Sequence, residues 1–487
     1  MKKIAFISVA LLSLLFASCE TTDDNTQEST VELKNEINDF VWKGLNAHYY
    51  WQENVPDLAD SKNGNIDDFY TYLNGYSAPD ALFESLLYDA GNTDRFSWFI
   101  EDYKAQDASF RGVNDAYGFE FGLARVSDTS NEVIGYITYV VPNSPASDAN
   151  LERGEIFNVF NGVTLNLDNY SVVNGYYSDN TISMKFADIQ GGNIVSNGKE
   201  VSLNIREVSE NPVHHSSIIN VGGTKVGYLV YNGFKYTFHD ELNDTFGDFK
   251  SAGIQELVLD LRYNGGGSVL TSAYLASMIY AGASTNDVFG KLIYNSKNAA
   301  DNGAYSFFNE ARIYNKDGDY TNSDVAIHRL NTLNRIYVIT SDDTASASEM
   351  IINGLSPYMT MIKVGTTTYG KNVGSFTVYD SNDFSSNGIN QNHTNAMQPI
   401  TFKIFNKLDQ SDYTQGFAPD YEVIEYVSEM KPFGDVNEPL LETALNHISG
   451  AISRVSDIKI PKLKSEKVFS SFEKRPFSKE MYILPNE

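Results

Sequence analysis

Cysteine is almost absent from this chain of 487 residues, which contains only Cys19. A single cysteine cannot form a disulfide within the chain, and it leaves no set of thiolates for a metal site. Positive charge is also scarce: 36 Lys and Arg stand against 63 Asp and Glu, for a formal charge of -27. Nucleic acid is therefore not expected as a partner, because phosphate binding needs a basic surface.

Long apolar runs are missing as well. The mostly apolar run at residues 4–16 is shorter than the ~20 residues that a membrane-spanning helix needs. Two lysines precede it and small residues follow it before Cys19, in the order typical of a secretory signal peptide. The stretch FASC resembles the lipobox of bacterial lipoproteins, which implies a signal peptide at residues 1–18 and lipid attachment at Cys19. The alternative is an ordinary signal peptide with an incidental cysteine.

The next segment, residues 19–30, is polar and acidic without apolar periodicity. Such a composition predicts a flexible tether. An acidic run soon after the lipid-bearing cysteine resembles the surface-export signal of Bacteroidota lipoproteins. That resemblance implies a location in the cell envelope, with a lipid anchor in the outer membrane and the chain exposed at the cell surface.

Residues 31–105 carry apolar side chains mostly three to four positions apart, which predicts a small domain of amphipathic helices. Its chemistry stays unassigned. All three tryptophans, Trp42, Trp51 and Trp98, lie in this segment. An aromatic cluster of this kind is more often core than ligand site, so we expect them to pack inside the domain.

Residues 106–212 change to alternating apolar and polar positions, which predicts strands. The segment SPASDANLERGEIFNVFNG at residues 144–162 resembles the signature of bacterial PDZ domains. The resemblance implies that an extended peptide is bound by strand addition. In this sequence the peptide-binding loop would be formed by Gly118, Phe119, Glu120, Phe121 and Gly122. A small β domain without peptide binding is the alternative.

In residues 213–450, short apolar runs alternate with helix-like segments. Strands are predicted at residues 227–234, 256–262, 335–340 and 361–367, and helices at 241–252, 271–281 and 348–355. Strand and helix in series predict a mostly parallel sheet covered by helices.

Three segments at the ends of these strands are candidates for a shared catalytic site: YNGGGS, TSDDTASASEM and TTTYGK. A serine becomes a nucleophile only when a base takes its proton and donors stabilise the oxyanion. A strand-to-helix junction offers free N–H groups, a glycine-rich turn can expose more, and a buried lysine can lose its proton. Taken alone, TSDDTASASEM leaves Ser341, Ser346 and Ser348 open, and a helix cap is an equal possibility.

In this order, DLRYNGG, TASASE and YGK resemble the carboxyl-terminal processing, or tail-specific, serine peptidases. The resemblance implies a multidomain α+β fold with an α/β, crotonase/ClpP-like core. It implies Ser346 as nucleophile and Lys371 as general base. The oxyanion hole would comprise Ala347, Gly266 and Gly267. Ser375 stands where many members carry a glutamine that orients the lysine.

The same resemblance implies an unstructured polypeptide tail as substrate and neither metal nor organic cofactor. Two rivals remain. A Ser/His/Asp hydrolase would need a histidine base, and although seven histidines are present, no G-x-S-x-G motif occurs. His214 and His215 are expected in an exposed linker. The second rival is a catalytically weak or inactive peptide-binding surface lipoprotein on the same scaffold. The oligomeric state and the role of the tail at residues 451–487 are not predicted.

Overall fold

The computed structural model describes residues 29–127, 129–451, 467–475 and 479–484. The predicted signal peptide, Cys19 and most of the predicted tether lie outside this part of the chain. Within it, no helix has both the length and the apolar character needed to cross a membrane.

The amino-terminal region is mainly helical, as predicted. Its elements are α1 (Glu36–His48), α2 (Ile66–Leu73), α3 (Pro79–Ser85), β1 (Trp98–Ile100) and α4 (Tyr103–Phe110). The Asn35 side chain caps α1 by accepting a hydrogen bond from the Ile37 N–H. Trp42 is fully buried in the core of this region, whereas Trp51 and Trp98 are partly exposed. Helix α4 runs across the predicted domain boundary at residues 105 and 106.

A β domain follows. Its elements are β2 (Val113–Ala116), β3 (Phe119–Arg125), β4 (Val133–Val140), α5 (Pro145–Asp148), β5 (Ile156–Phe160), β6 (Val163–Thr164), α6 (Gly175–Ser178), β7 (Thr181–Gln190), β8 (Asn193–Asn204) and β9 (Arg206–Ser209). Strands β3, β4, β5, β7 and β8 form an antiparallel sheet around an apolar core of their own. Gly118 has a φ of +82°, and a Cβ there would lie 2.0 Å from the Ser144 Cβ. Only glycine fits this turn.

The largest domain contains the predicted strands and helices. Its elements are β10 (Val213–Val221), β11 (Thr224–Tyr231), α7 (His239–Ala252), β12 (Glu256–Asp260), β13 (Gly267–Ser268), α8 (Val269–Ile279), β14 (Val288–Tyr294), β15 (Gly303–Ser306), β16 (Glu310–Tyr314), β17 (Tyr320–Ala326), β18 (Arg335–Thr340), α9 (Ala347–Leu355), β19 (Thr360–Gly365), β20 (Val373–Ser375), β21 (Val378–Tyr379), β22 (Ala396–Gln398), β23 (Ile400–Phe405), β24 (Tyr421–Glu422) and α10 (Pro439–Ile448).

The first sheet of this domain has the order β10-β11-β12-β18-β19-β24 and is parallel from β11 onward. Apolar side chains of α7, α8 and α9 cover one of its faces. Since β12, β18 and β19 are parallel neighbours, their carboxyl ends lie at one edge of the sheet. This topology brings the three segments singled out in the sequence to the same place.

The predicted linker histidines are placed differently. His214 and His215 belong to β10, an edge strand of the first sheet, and both are partly buried. Burial lowers the pKa of His214 to about 4. The prediction of an exposed linker was wrong because the strand after the β domain joins the sheet directly.

The carboxyl-terminal part of the chain contains β25 (Lys467–Ser470), α11 (Ser471–Lys474) and β26 (Met481–Tyr482). Strand β25 pairs with β3 of the β domain in antiparallel register. Strand β26 lies between β13 and β20 in a second sheet of order β13-β26-β20-β23-β14-β15. The described parts of the tail at residues 451–487 therefore contribute strands to two sheets.

Candidate active site

Ser346 lies at the junction between β18 and α9, directly before the first helical residue, Ala347. Its backbone has φ +65° and ψ -116°, a conformation that non-glycine residues seldom adopt. Such strain persists only where surrounding contacts enforce it, and it is concentrated at functional sites. The side chain is fully buried, and Ser346 and Glu349 take the positions of a capping box at the start of α9. The Ser346 Oγ nevertheless makes no hydrogen bond of full geometry with a described residue.

The neighbouring serines are engaged in the local structure. Ser341 Oγ donates to the Arg262 carbonyl, and Ser348 Oγ donates to the Asn264 carbonyl at 2.9 Å. Both bonds hold the TASAS loop against the turn that follows β12. Of the three serines left open by the sequence, Ser346 is the one whose hydroxyl is free of such a bond in the described structure.

Glu349 fixes this loop from the first turn of α9. Its buried carboxylate accepts hydrogen bonds from the N–H of Ser346 at 2.9 Å and the N–H of Lys371 at 2.7 Å. It also accepts from the Gly370 N–H and the Thr368 hydroxyl, at 2.7 and 2.6 Å. The sequence patterns did not single out Glu349, which by its position is part of the first turn of α9. Its role as a shared acceptor depends on the loop after β19, which is remote in sequence.

Lys371 is fully buried beside this loop. Burial lowers the pKa of Lys371 to about 8, against the opposing attraction of Glu480, Asp94 and Glu349. Its Nζ lies 4.8 Å from the ring centroid of Phe96, so the amino-terminal region helps to enclose it. A lysine in this condition is neutral in a substantial fraction of molecules near pH 8 and can accept a proton.

The glycine turn after β12 approaches Ser346 closely. A Cβ built on Gly266 would lie 2.7 Å from Ser346 Cβ and 3.0 Å from the Ala347 nitrogen. The Gly266 N–H itself donates to Asn264 Oδ1 at 2.9 Å, whereas the Gly267 N–H donates to the carbonyl of Glu480 at 2.6 Å. Of the two predicted glycine donors, Gly267 is thus the one whose N–H points at a carbonyl group. Gly266 has no side chain, and this allows its backbone to approach Ser346.

Ser375, the residue predicted to orient Lys371, lies on β20 and contacts other groups. Its Oγ accepts from Gln398 Nε2 at 3.0 Å and donates to the Met481 carbonyl at 3.3 Å. A serine side chain is too short to take over the contact of a glutamine, and here it faces β26. The geometry therefore gives Ser375 a role in holding that strand.

The residues predicted to bind a peptide, from Gly118 to Gly122, lie at and after the turn that opens β3. That strand is already paired, since β25 aligns Ser470 with Gly122 and Phe469 with Leu123. The Phe121 N–H donates to Ser471 Oγ at 2.9 Å. Glu120 is buried there, and burial raises its pKa to about 7. The predicted peptide site is occupied by the chain itself, which no sequence motif indicated.

No cluster of three or more His, Cys, Asp or Glu side chains in the described ranges is arranged to hold a metal ion. The groups present at the edge of the first sheet are a strained buried serine, a buried lysine and backbone N–H donors.

Two regions of this chain match the profiles of known protein families. The profile of Peptidase family S41 matches residues 225–423, and that of the Peptidase S41 N-terminal domain matches residues 36–98. Proteins of several Staphylococcus aureus strains described as CtpA-like serine proteases are 24% identical over 245 residues, 49% of this chain. The chain matches 42% of the length of those relatives.

A solved structure of a Bacteroides fragilis protein assigned to the S41 proteases is 27% identical, with a TM-score of 0.65. The alignment covers 85% of this chain and 98% of that one. Both chains thus share a mixed α/β multidomain fold over nearly all of their common length.

Proposed function

Because this chain belongs to Peptidase family S41, we propose that it is a serine endopeptidase that cleaves unstructured or carboxyl-terminal polypeptide segments through a Ser346/Lys371 dyad. The observation that carries this proposal is the joint attachment of both residues to one carboxylate. Glu349 accepts from both backbones, at 2.9 and 2.7 Å, although 25 positions separate them in the sequence. The shared acceptor holds the backbones of the proposed nucleophile and the proposed base close to one another.

In the acylation step, neutral Lys371 Nζ takes the proton of Ser346 Oγ. The oxygen then forms a bond to the carbonyl carbon of the substrate, and the oxyanion accepts hydrogen bonds from the Gly267 and Ala347 N–H groups. When the C–N bond breaks, the lysine returns its proton to the leaving amine. An ester on Ser346 remains.

Hydrolysis of that ester uses the same groups in reverse. A water molecule gives one proton to Lys371 Nζ and attacks the ester carbon. The bond from carbon to Ser346 Oγ then breaks, and the serine oxygen recovers the proton from the lysine. The products are a free carboxylic acid and the original dyad, so the chemistry needs no cofactor.

The β domain is proposed to be PDZ-like, and the domain with the first sheet to be a crotonase/ClpP-like core. Strand β3 is the proposed docking edge for a polypeptide substrate. Its antiparallel pairing with β25 supports this proposal, because the main-chain groups of β3 accept an added strand.

The proposed location is the cell envelope, with a lipid on Cys19 anchoring the chain in the outer membrane. Metabolic labelling with an alkyne fatty acid tests this directly. Wild-type chain should incorporate the label and fractionate with outer membranes. Cys19→Ala should lose both properties, and a labelled Cys19→Ala protein would contradict the assignment. Protease treatment of intact cells then reports surface exposure.

The activity is tested with purified full-length chain and an unfolded protein such as casein. Ser346→Ala and Lys371→Ala should each lower kcat/KM by at least about 10³-fold, because a dyad acts as a unit. Ser356→Ala provides a matched control, since Ser356 is an exposed serine at the other end of α9. Binding of casein without cleavage above the level of the two dyad variants would contradict the proposal and favour a peptide-binding lipoprotein.

A further inference from the structure

The backbone of the carboxyl-terminal stretch at residues 479–484 passes directly beside Ser346. The Glu480 carbonyl accepts the Gly267 N–H at 2.6 Å and lies 2.2 Å from the position that a Cβ on Gly266 would occupy. Ser346 Cβ lies 2.7 Å from the same position. A peptide carbonyl of the chain therefore occupies the location where the proposed mechanism puts the carbonyl of a substrate.

The same stretch continues as a strand along the cleft between β13 and β20. Met481 and Tyr482 pair with Gly267 and Ser268 in parallel register, and Ser375 pairs with Tyr482 on the other side. Without this strand, the backbone groups of β13 and β20 would face an open gap. An extended polypeptide is the ligand that such a gap fits, because each edge offers a row of main-chain donors and acceptors.

Lys371 is hydrogen-bonded to this occupant. Its Nζ donates to the Lys479 carbonyl at 2.5 Å, while Ser346 Oγ has no partner among the described residues. This bond directs an N–H of Lys371 at the carboxyl-terminal stretch. The occupant therefore contacts the proposed base directly.

Two side chains anchor the stretch. Met481 is fully buried in the main core, and the Tyr482 ring stacks on Phe110 with centroids 3.9 Å apart. The Tyr482 hydroxyl also donates to the Phe110 carbonyl at 3.2 Å. The Glu480 carboxyl is buried as well, and its Oε1 is without a hydrogen-bond partner in the described structure. The stretch is thus held by two buried side chains, and it contains one buried carboxyl group with an oxygen that lacks a hydrogen-bond partner in the described structure.

A second contact holds the end of the chain on the β domain. Residues 467–470 form β25 on the edge of β3, and Arg475 makes an ion pair with Glu210 at 2.8 Å. Ser471 Oγ donates to the buried Glu120. The two described carboxyl-terminal stretches therefore occupy both places where the proposed function requires a polypeptide.

We propose that residues 467–475 and 479–484 act together as a built-in pseudosubstrate, which fills the docking edge of β3 and the cleft between β13 and β20 until a polypeptide displaces it. This inference rests on the proposed function for the identity of the cleft. The occupant blocks the cleft by main-chain pairing and binds Lys371 Nζ through the Lys479 carbonyl. Displacement frees both edges and releases Lys371 from that carbonyl.

Peptide binding to an inactive background tests the proposal without any need for hydrolysis. The probe is a fluorescein-labelled peptide KEMYIL, the sequence of residues 479–484, measured by anisotropy against full-length Ser346→Ala chain. Adding Tyr482→Ala removes the stacked ring, and the probe should then bind at least tenfold more tightly. Tyr320→Ala is the matched control, because Tyr320 is an exposed tyrosine, and it should leave probe binding as in Ser346→Ala alone.

Each possible outcome of the binding measurement either supports or overturns the pseudosubstrate proposal. Equal binding to the Ser346→Ala chain with and without Tyr482→Ala overturns the proposal. So does an absence of binding to both when their thermal unfolding shows that they are folded. Tighter binding after Tyr482→Ala supports it even if no cleavage is ever seen, and in that case only the proposed activity fails. In the active background, Tyr482→Ala should raise the initial rate of casein cleavage at least tenfold.

Hydrogen exchange is a second test of the proposal, and it does not depend on whether the Tyr482→Ala variant folds. In the structure, the Ile483 N–H donates to the Ser375 carbonyl at 3.2 Å, and the Gly267 N–H donates to the Glu480 carbonyl. The measurement uses the Ser346→Ala chain, so that casein is not cleaved. Saturating unfolded casein should accelerate exchange in peptides covering residues 467–475 and 479–484. Exchange there that is unchanged by casein overturns the proposal, whereas peptides from α8 serve as the internal reference.

Discussion

Ser346 and Lys371 donate their backbone N–H groups to the same oxygen, Glu349 Oε2, at 2.9 and 2.7 Å. The bond to Ser346 holds the strained junction between β18 and α9, and the bond to Lys371 holds the loop after β19. One buried carboxylate thus sets the distance between the proposed nucleophile and the proposed base.

Glu349→Gln should disturb this anchor with little change in side-chain volume. An amide nitrogen would face two N–H donors, and leaving buried donors unpaired costs about 1–3 kcal/mol each. We expect a lower midpoint of urea unfolding and a kcat reduced about 10- to 100-fold, with KM nearly unchanged, because the dyad is misplaced. Glu442→Gln, at an exposed site on α10, is the control. Wild-type kcat in Glu349→Gln would refute the role of the anchor.

Gly266→Ala should abolish activity for steric reasons. The new Cβ would lie 2.7 Å from Ser346 Cβ and 2.2 Å from the carbonyl oxygen beside it. Gly162→Ala separates this clash from backbone strain, because Gly162 has a φ of +79° with nothing within 4 Å of its Cβ position. We expect the control to lose about 1–2 kcal/mol of stability and to keep its activity. Similar casein cleavage by both variants would show that close approach at Gly266 is unimportant.

The rate of cleavage should rise with pH through a midpoint near the Lys371 pKa of about 8. The neutral amine is the active form, so kcat/KM should fall about tenfold per pH unit on the acid side of the midpoint. A midpoint near pH 6.5 in wild-type chain would indicate a histidine base and contradict the dyad.

Ser375→Ala distinguishes the contact seen in the structure from the one expected by resemblance. The hydroxyl bonds to the Met481 carbonyl and to Gln398, so its removal should loosen β26. We expect tighter binding of the KEMYIL probe in the inactive background and a Lys371 midpoint that is the same as in wild-type chain. Casein cleavage across the pH range measures that midpoint. An altered midpoint without a change in probe binding would restore Ser375 as the residue that orients the lysine.

The sequence alone was sufficient to predict the strands that position the proposed active-site residues. Apolar runs marked β12, β18 and β19, and parallel pairing then brings their carboxyl ends to one edge whatever the details of packing. The strained turn at Ser346 also lies where the strand and helix patterns meet. Local pattern and topology therefore sufficed to bring together YNGGGS, TASAS and YGK.

The remaining features depend on contacts between distant parts of the chain. Glu349 in the first turn of α9 looks like an ordinary helix-capping acid until the loop of Lys371 folds over it. KEMYIL carries too short an apolar pattern to identify a strand, and only the open edges of β13 and β20 give it a partner. Gly266 and Gly267 are equivalent in sequence, but Asn264 Oδ1 binds the N–H of the first alone.

The most direct test of the central claim is a search for the covalent intermediate. Full-length chain is mixed at pH 8 with a peptide p-nitrophenyl ester, whose good leaving group should make acylation faster than hydrolysis, and is then quenched with acid. Intact-mass analysis should show one acyl group per chain, and peptide mapping should place it on Ser346, with no adduct in Ser346→Ala. An adduct on another residue, or casein cleavage that persists in Ser346→Ala, would contradict the account.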